Sequence, residues 1–170
     1  SLAISPDGKH MVTSHCGDQQ PNEFCSESVI QIWDMQTKEV VRLPIEHADS
    51  VTSLAFSSDG ARLASGSRDG TVILWDLWRD ETAKILLKLT GHNSAVESLA
   101  FNVEGNRLAS GSEERKIILW DVNTGQALGG TFTGAASSVT SLAFTMDGTQ
   151  LYSGDARGQM MIWDMSIDSW

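Results

Sequence analysis

Residues Val51–Asp76 read VTSLAFSSDGARLASGSRDGTVILWD, and the pattern returns twice downstream. Val96–Asp121 reads VESLAFNVEGNRLASGSEERKIILWD, and Val139–Asp164 reads VTSLAFTMDGTQLYSGDARGQMMIWD. A further copy opens as SLAISPDGKHMVTS at Ser1 and resumes as SVIQIWD at Ser28 after an insertion. The four Trp-Asp pairs, Trp33-Asp34, Trp75-Asp76, Trp120-Asp121 and Trp163-Asp164, stand at intervals of 42, 45 and 43 residues. A period of that size means that one supersecondary unit is copied and stacked.

Within a unit the grammar is that of short strands. Apolar runs are separated by Asp7-Gly8, Asp59-Gly60 and Asp147-Gly148, with Glu104-Gly105 as the variant. Glycine accepts the positive φ that a tight hairpin requires. A second turn, Arg68-Asp69-Gly70, precedes the run that ends in Trp-Asp, and a fourth run follows at 39–45, 84–90 and 126–133. Each complete unit therefore predicts a four-stranded antiparallel sheet. The third runs, Val72-Ile73-Leu74-Trp75 and Ile117-Ile118-Leu119-Trp120, lack a polar alternate, so both sheet faces need cover. Sheets packed side by side around an axis supply that cover and shield the edges, which is the propeller arrangement. No amphipathic helix of useful length is evident.

Bulk composition narrows the function classes. The 170 residues are 41% hydrophobic, enough for a real core, and carry 12 Lys+Arg against 22 Asp+Glu for a net charge of −10. Such an acidic chain lacks the positive footprint that grips phosphate backbones, and anionic membrane surfaces repel it. The expected partners are thus other proteins, with neither nucleic acid nor membrane among them. No apolar stretch approaches the ~20 residues needed to cross a bilayer, and no leader pattern is visible, although the chain opens on Ser1 and not Met. Cys16 and Cys25 are too few for a disulfide scaffold. They read as reduced loop thiols of an intracellular protein, cytoplasmic or nuclear, or as one local disulfide.

The Gly-His dipeptide (Gly91-His92, with Glu46-His47 as its variant), the SLAFS-x-DG hairpin, the LASGS-x-DGT turn and the terminal Trp-Asp together resemble the WD-repeat β-propeller family. The resemblance covers nearly the whole chain and implies an all-β fold with blades at about 1–45, 46–90, 91–133 and 134–170, the last without its outer strand. It implies a scaffold that binds proteins through rim loops and has no cofactor. A sensor or autoinhibitory part of a larger multidomain signalling protein is the alternative. Glycan or small-ligand binding is a weaker third reading, disfavoured by the scarcity of aromatics on the surface loops.

By the same resemblance, His47, Ser65, Asp69 and Trp75 form a buried tetrad. Donor inventories order it: an indole only donates, a carboxylate only accepts, and hydroxyl and imidazole do both, giving Trp75 to Ser65 to His47 to Asp69. An acyl-transfer triad uses the same residue types, but here the serine oxygen is taken by the indole and no oxyanion turn follows, so the chain is not expected to be an enzyme. In the third copy His92, Ser110 and Trp120 persist with Glu114 for the aspartate, an approximate network. The fourth has Ala135 and Arg157 in place of histidine and aspartate, and the first has Thr13 and Trp33 with Glu27 at the acidic position.

Family propellers usually carry seven blades, about 300 residues at this period. The chain accordingly reads as a segment of a longer ring, with a four-bladed ring or two chains sharing one ring as alternatives; open blade faces would favour self-association. On the rim formed by the entering and joining loops, Arg68, Asn93, Glu113, Arg115 and Arg157 are candidate partner contacts. Phe24, in an insertion spanning 15–28, either anchors a partner or folds back onto its blade. His15, Cys16, Asp18, Glu23 and Cys25 could ligate a metal, yet the eight residues between the cysteines do not match a zinc site. Trp78, on the opposite rim, either packs on the neighbouring strand or meets a partner. None of WDMQ, WDLW, WDVN and WDMS offers the Trp-Asp-x-Arg with which some relatives engage a ubiquitin-ligase adaptor, since Arg79 comes one place late.

Overall fold

A computed structural model describes residues 1–16, 28–44, 46–77 and 83–166, with the Cys16 side chain excepted. Fifteen strands form four antiparallel sheets, each in simple up-and-down order. The first holds β1 (Leu2–Ile4), β2 (His10–Cys16), β3 (Ser28–Asp34) and β4 (Val40–Arg42). β5 (Val51–Phe56), β6 (Arg62–Ser67), β7 (Thr71–Asp76) and β8 (Lys84–Thr90) form the second. The third comprises β9 (Val96–Phe101), β10 (Arg107–Ser112), β11 (Lys116–Asp121) and β12 (Phe132–Thr133). Among the described residues the last holds three strands, β13 (Val139–Phe144), β14 (Gln150–Asp155) and β15 (Met160–Asp164). Among the described residues no helix is long and apolar enough to cross a membrane.

The apolar residues separate into three clusters, one at each junction between consecutive sheets. Between the second and third sheets, Ala64, Val72 and Leu74 of one meet Val96, Leu108 and Trp120 of the next. Alternate residues of a single strand thus serve different clusters: Ile73 and Trp75 face back to the first sheet, Val72 and Leu74 forward to the third. Both faces of a central blade are covered, which is why its third strand needs no polar alternate.

The ends of the series are bare. Leu2 and Ile4 on the first sheet are 56% and 60% exposed, and Met160 and Ile162 on the fourth are 70% and 55% exposed. The described residues therefore form an open arc of blades, and the four-bladed ring entertained above is not the arrangement seen.

Outer strands differ most from expectation. The second sheet's runs over Lys84–Thr90 as predicted, but the first is only Val40–Arg42 and the third only Phe132–Thr133, preceded by an isolated bridge from Trp120 to Ala127. Pro44, with no N–H to give, follows the first. Gly129-Gly130 interrupts the other, with Gly129 at φ 71°.

Candidate partner-binding rim

One rim of the arc is assembled by the loops that enter the inner strands and those that join second and third strands. Three backbone bonds lay these loops side by side: Arg68 N to Ser50 O at 2.9 Å, Glu113 N to Ala95 O at 3.0 Å, and Ala156 N to Ser138 O at 2.9 Å. Beneath them Ser67 Oγ donates to Asp49 O and Ser112 Oγ to Ser94 O.

The second blade anchors its entering loop through a polar chain. Trp75 Nε1 donates to Ser65 Oγ at 2.9 Å, and Ser65 Oγ lies 2.7 Å from His47 Nε2. His47 Nδ1 then meets the Thr71 hydroxyl at 3.0 Å, whereas the Asp69 carboxylate stands 3.5 Å away. Thr71 passes the bond on, its Oγ1 donating to Asp69 Oδ1 at 2.7 Å. The relay is thus Trp75 to Ser65 to His47 to Thr71 to Asp69, one hydroxyl longer than the sequence reading. Asp69 Oδ2 accepts the Ala48 amide at 2.8 Å, which fixes the loop.

In the third blade the network closes directly and is not merely approximate. Trp120 Nε1 donates to Ser110 Oγ at 2.8 Å, Ser110 meets His92 Nε2 at 2.8 Å, and His92 Nδ1 donates to Glu114 Oε1 at 3.0 Å. The extra methylene of Glu114 brings its carboxylate up to the imidazole. Lys116 occupies the Thr71 position and binds Glu114 Oε2 at 2.9 Å, while the Asn93 amide donates to Glu114 Oε1 at 3.1 Å. Burial pushes the Glu114 carboxyl upward, but the bonds from Lys116, Asn93 and His92 outweigh it and hold it at about 2. Burial also pushes both His47 and His92 below their ordinary value, against the pull of Asp69 and Glu114, so each imidazole is held neutral.

The fourth blade solves the same problem with a residue that motif matching passes over. Trp163 Nε1 still donates to Ser153 Oγ at 2.9 Å, but Ala135 and Arg157 cannot extend the chain. Asp155, buried where the other blades carry Ser67 and Ser112, accepts the Ala136 amide on Oδ2 at 3.2 Å and the Arg157 and Gln159 amides on Oδ1 at 2.9 Å each. Those bonds draw its pKa below the usual carboxylate value. An acidic side chain in GDARG, where the sister copies read GS, was the available signal. In the first blade Trp33 Nε1 donates to Thr13 Oγ1 at 3.0 Å.

On this framework Arg68, Asn93, Glu113, Arg115 and Arg157 are all exposed along one rim. Asn93 Nδ2 leans toward Glu114 at 3.4 Å, and Glu113 accepts Ser94 Oγ at 3.1 Å. The turn that carries Arg68 abuts the next entering loop: a β-carbon on Gly70 would lie 2.8 Å from His92 O. Arg115 sits in the left-handed region at φ 66°, the place held by Gly70 and Gly158, both at φ 79°. An L-residue there costs about 1 kcal/mol relative to glycine. Phe24, Cys25, Glu27, Trp78, Arg79 and most of the 15–28 insertion lie outside the described residues.

Comparison with known proteins places this architecture. A family model described as WD domain, G-beta repeat matches residues 38–76, 83–121 and 127–164. Each match begins at or just before the outer strand of one sheet and ends on the third strand of the next. Protein groucho of Drosophila melanogaster is 39% identical over 77 residues, covering 45% of this chain and 9% of that protein. Retinoblastoma-binding-like protein E of Dictyostelium discoideum is 42% identical over 48 residues, again 9% of its length. A chain in the crystal structure of a mitotic checkpoint complex superposes with a TM-score of 0.81 at 27% identity, over 98% of this chain and 48% of that one.

Proposed function

The chain belongs to the WD-repeat family, whose propeller domains generally mediate protein–protein interaction, and on that premise we propose that it is a non-catalytic scaffold docking partners on the rim of entering and joining loops. One observation carries the choice of rim: three consecutive blades each present an exposed arginine there, Arg115 on the third. Arg68 and Arg157 place a guanidinium on each flanking blade. Across a chain of net charge −10, this row of cations favours a partner surface bearing carboxylates. The second reading is a sensing or autoinhibitory part of a longer signalling protein; the matched segments make up 9% of each curated relative.

Reversing charge at all three arginines (R68E, R115E, R157E) tests the rim. Affinity capture with the folded 170-residue chain should lose its partners, while a Lys9→Glu control on the opposite rim keeps them. Equal capture by the two variants would refute rim docking.

A further inference from the structure

The inner strands of three consecutive sheets share one irregularity. A single residue stands outside the ladder in each. Thr52 falls between the pairs Val51 with Ser67 and Ser53 with Gly66. Glu97 falls between Val96 with Ser112 and Ser98 with Gly111, and Thr140 between Val139 with Asp155 and Ser141 with Gly154. Such a bulge bends its strand and frees one side chain from the two-sided alternation. All three lie directly beneath the rim, because the residue two places earlier, Ser50, Ala95 or Ser138, gives the carbonyl that receives the joining loop.

Two of these side chains are satisfied within the protein. Thr52 Oγ1 shares its proton between Gly66 O at 3.0 Å and Val96 O of the next inner strand, and Thr140 Oγ1 donates to Gly154 O at 3.3 Å. Glu97 cannot do the same, because an ionised carboxylate only accepts. The third blade thus sets an acceptor where its sisters set a donor. Ser98 Oγ does not make up the loss at Gly111 O, being committed to Val139 O at 3.2 Å. Among the described residues no hydrogen bond or ion pair is made by the half-buried Glu97 side chain. The other glutamates of this blade are engaged: Glu104 accepts from Asn102 Nδ2 at 2.7 Å, Glu113 from Ser94, and Glu114 from His92, Asn93 and Lys116. A carboxylate partly withdrawn from water without a partner carries a standing cost, which a cation with several N–H donors removes.

Building on the rim docking proposed above, we infer that Glu97 determines which partners are accepted: it takes a lysine or arginine side chain from the docked polypeptide. The ammonium or guanidinium donates to the Glu97 carboxylate, and Gly111 O is the carbonyl left for a further N–H. Arg68, Arg115 and Arg157 stand exposed on the loops above. The residues that flank the inserted cation therefore carry carboxylates, since a basic flank would be repelled by the three guanidiniums. The segment recognised is one cationic side chain within an acidic stretch. A wholly acidic segment leaves Glu97 facing like charge, and a wholly basic one meets the arginines, so both are rejected by repulsion.

The test is selection of a phage-displayed library of random peptides on the immobilised 170-residue protein. Enriched peptides should carry a lysine or arginine with aspartate or glutamate on both sides. Selection on Glu97→Thr, which installs the residue of both sister blades, should lose the cation and keep the acidic residues. A synthetic peptide from the first selection should bind Glu97→Thr, and the neutral isostere Glu97→Gln, at least about tenfold more weakly. Glu39→Gln, which removes the same charge from an exposed position of the first blade, should leave its binding unchanged. A cation preference that survives Glu97→Thr, or a peptide weakened equally by Glu39→Gln, overturns the inference. Acidic peptides without a cation overturn it and leave rim docking standing. No enriched peptide, or binding indifferent to both Glu97→Thr and the triple arginine reversal, overturns the two together.

Discussion

Replacing Ser65 with alanine is the sharpest perturbation of the loop-anchoring relay. Its Oγ is fully buried and serves two partners, accepting from Trp75 Nε1 at 2.9 Å and meeting His47 Nε2 at 2.7 Å. Trp75 is 0% exposed and His47 6%, so water cannot take the place of the lost oxygen. Each stranded group costs about 1–3 kcal/mol. The imidazole keeps its Thr71 bond and softens the loss, which places the total at about 2–4 kcal/mol. Ser153→Ala is the matched comparison. There the oxygen serves only Trp163, a partly exposed indole that water can reach, and the cost falls to about 1 kcal/mol or less. Because blades can open separately, a single global midpoint would blur the two effects. Amide hydrogen exchange resolved by peptide reads them apart, with β6–β7 reporting on S65A and β14–β15 on S153A. Equal destabilisation by the two substitutions would refute the claim that burial of the relay sets its worth.

The remaining expectations can be checked on the same protein. Unperturbed amides should exchange faster in β13–β15 than in β5–β7, since among the described residues the fourth blade has three strands against four and Met160 and Ile162 are exposed; the reverse order would contradict this. His47 and His92 have folded pKa values below the unfolded 6.5, so the unfolded chain takes up protons that the folded one refuses. Stability should therefore be complete above pH 6.5 and decline below it. Glu114, about 2 folded against 4.5 unfolded, adds a further decline from pH 4.5 downward, and urea midpoints that stay level from pH 7.5 to 4 would count against both. Arg115→Gly should raise stability by roughly 0.5–1 kcal/mol by relieving φ 66° while weakening partner capture; a gain of both, or a loss of stability, would remove the strain account. Gly111→Ala should cost about 1–3 kcal/mol through its clash with Val139, partly recovered by Val139→Ala in the double variant.

What the sequence disclosed was whatever recurs. Asp-Gly turns and Trp-Asp termini return at a fixed period, and the inner three strands of every complete blade followed from them. Outer strands were less legible because they are edges, held on one side and ended by local chemistry such as Pro44 or Gly129-Gly130. The rim networks were legible in membership but not in wiring. Thr71 was hidden because a threonine opening a β-strand needs no special explanation, and a difference between 3.0 and 3.5 Å has no signature in residue type. Asp155 was hidden because it does its work two places before the position where an aspartate is sought. Strain at Arg115 was written in the sequence as an arginine where glycine was due, yet its meaning emerged only with its φ angle.

The matched segments and the sheets are out of phase by one strand: residues 83–121 contribute β8 to the second blade and β9–β11 to the third. What is inherited and what folds are therefore different units. Duplication of one segment hands a lid to the blade before it and begins a fresh blade after it, so every interior blade stays whole while the array lengthens. Copy number can drift without any intermediate passing through a broken middle, and only the termini register the change.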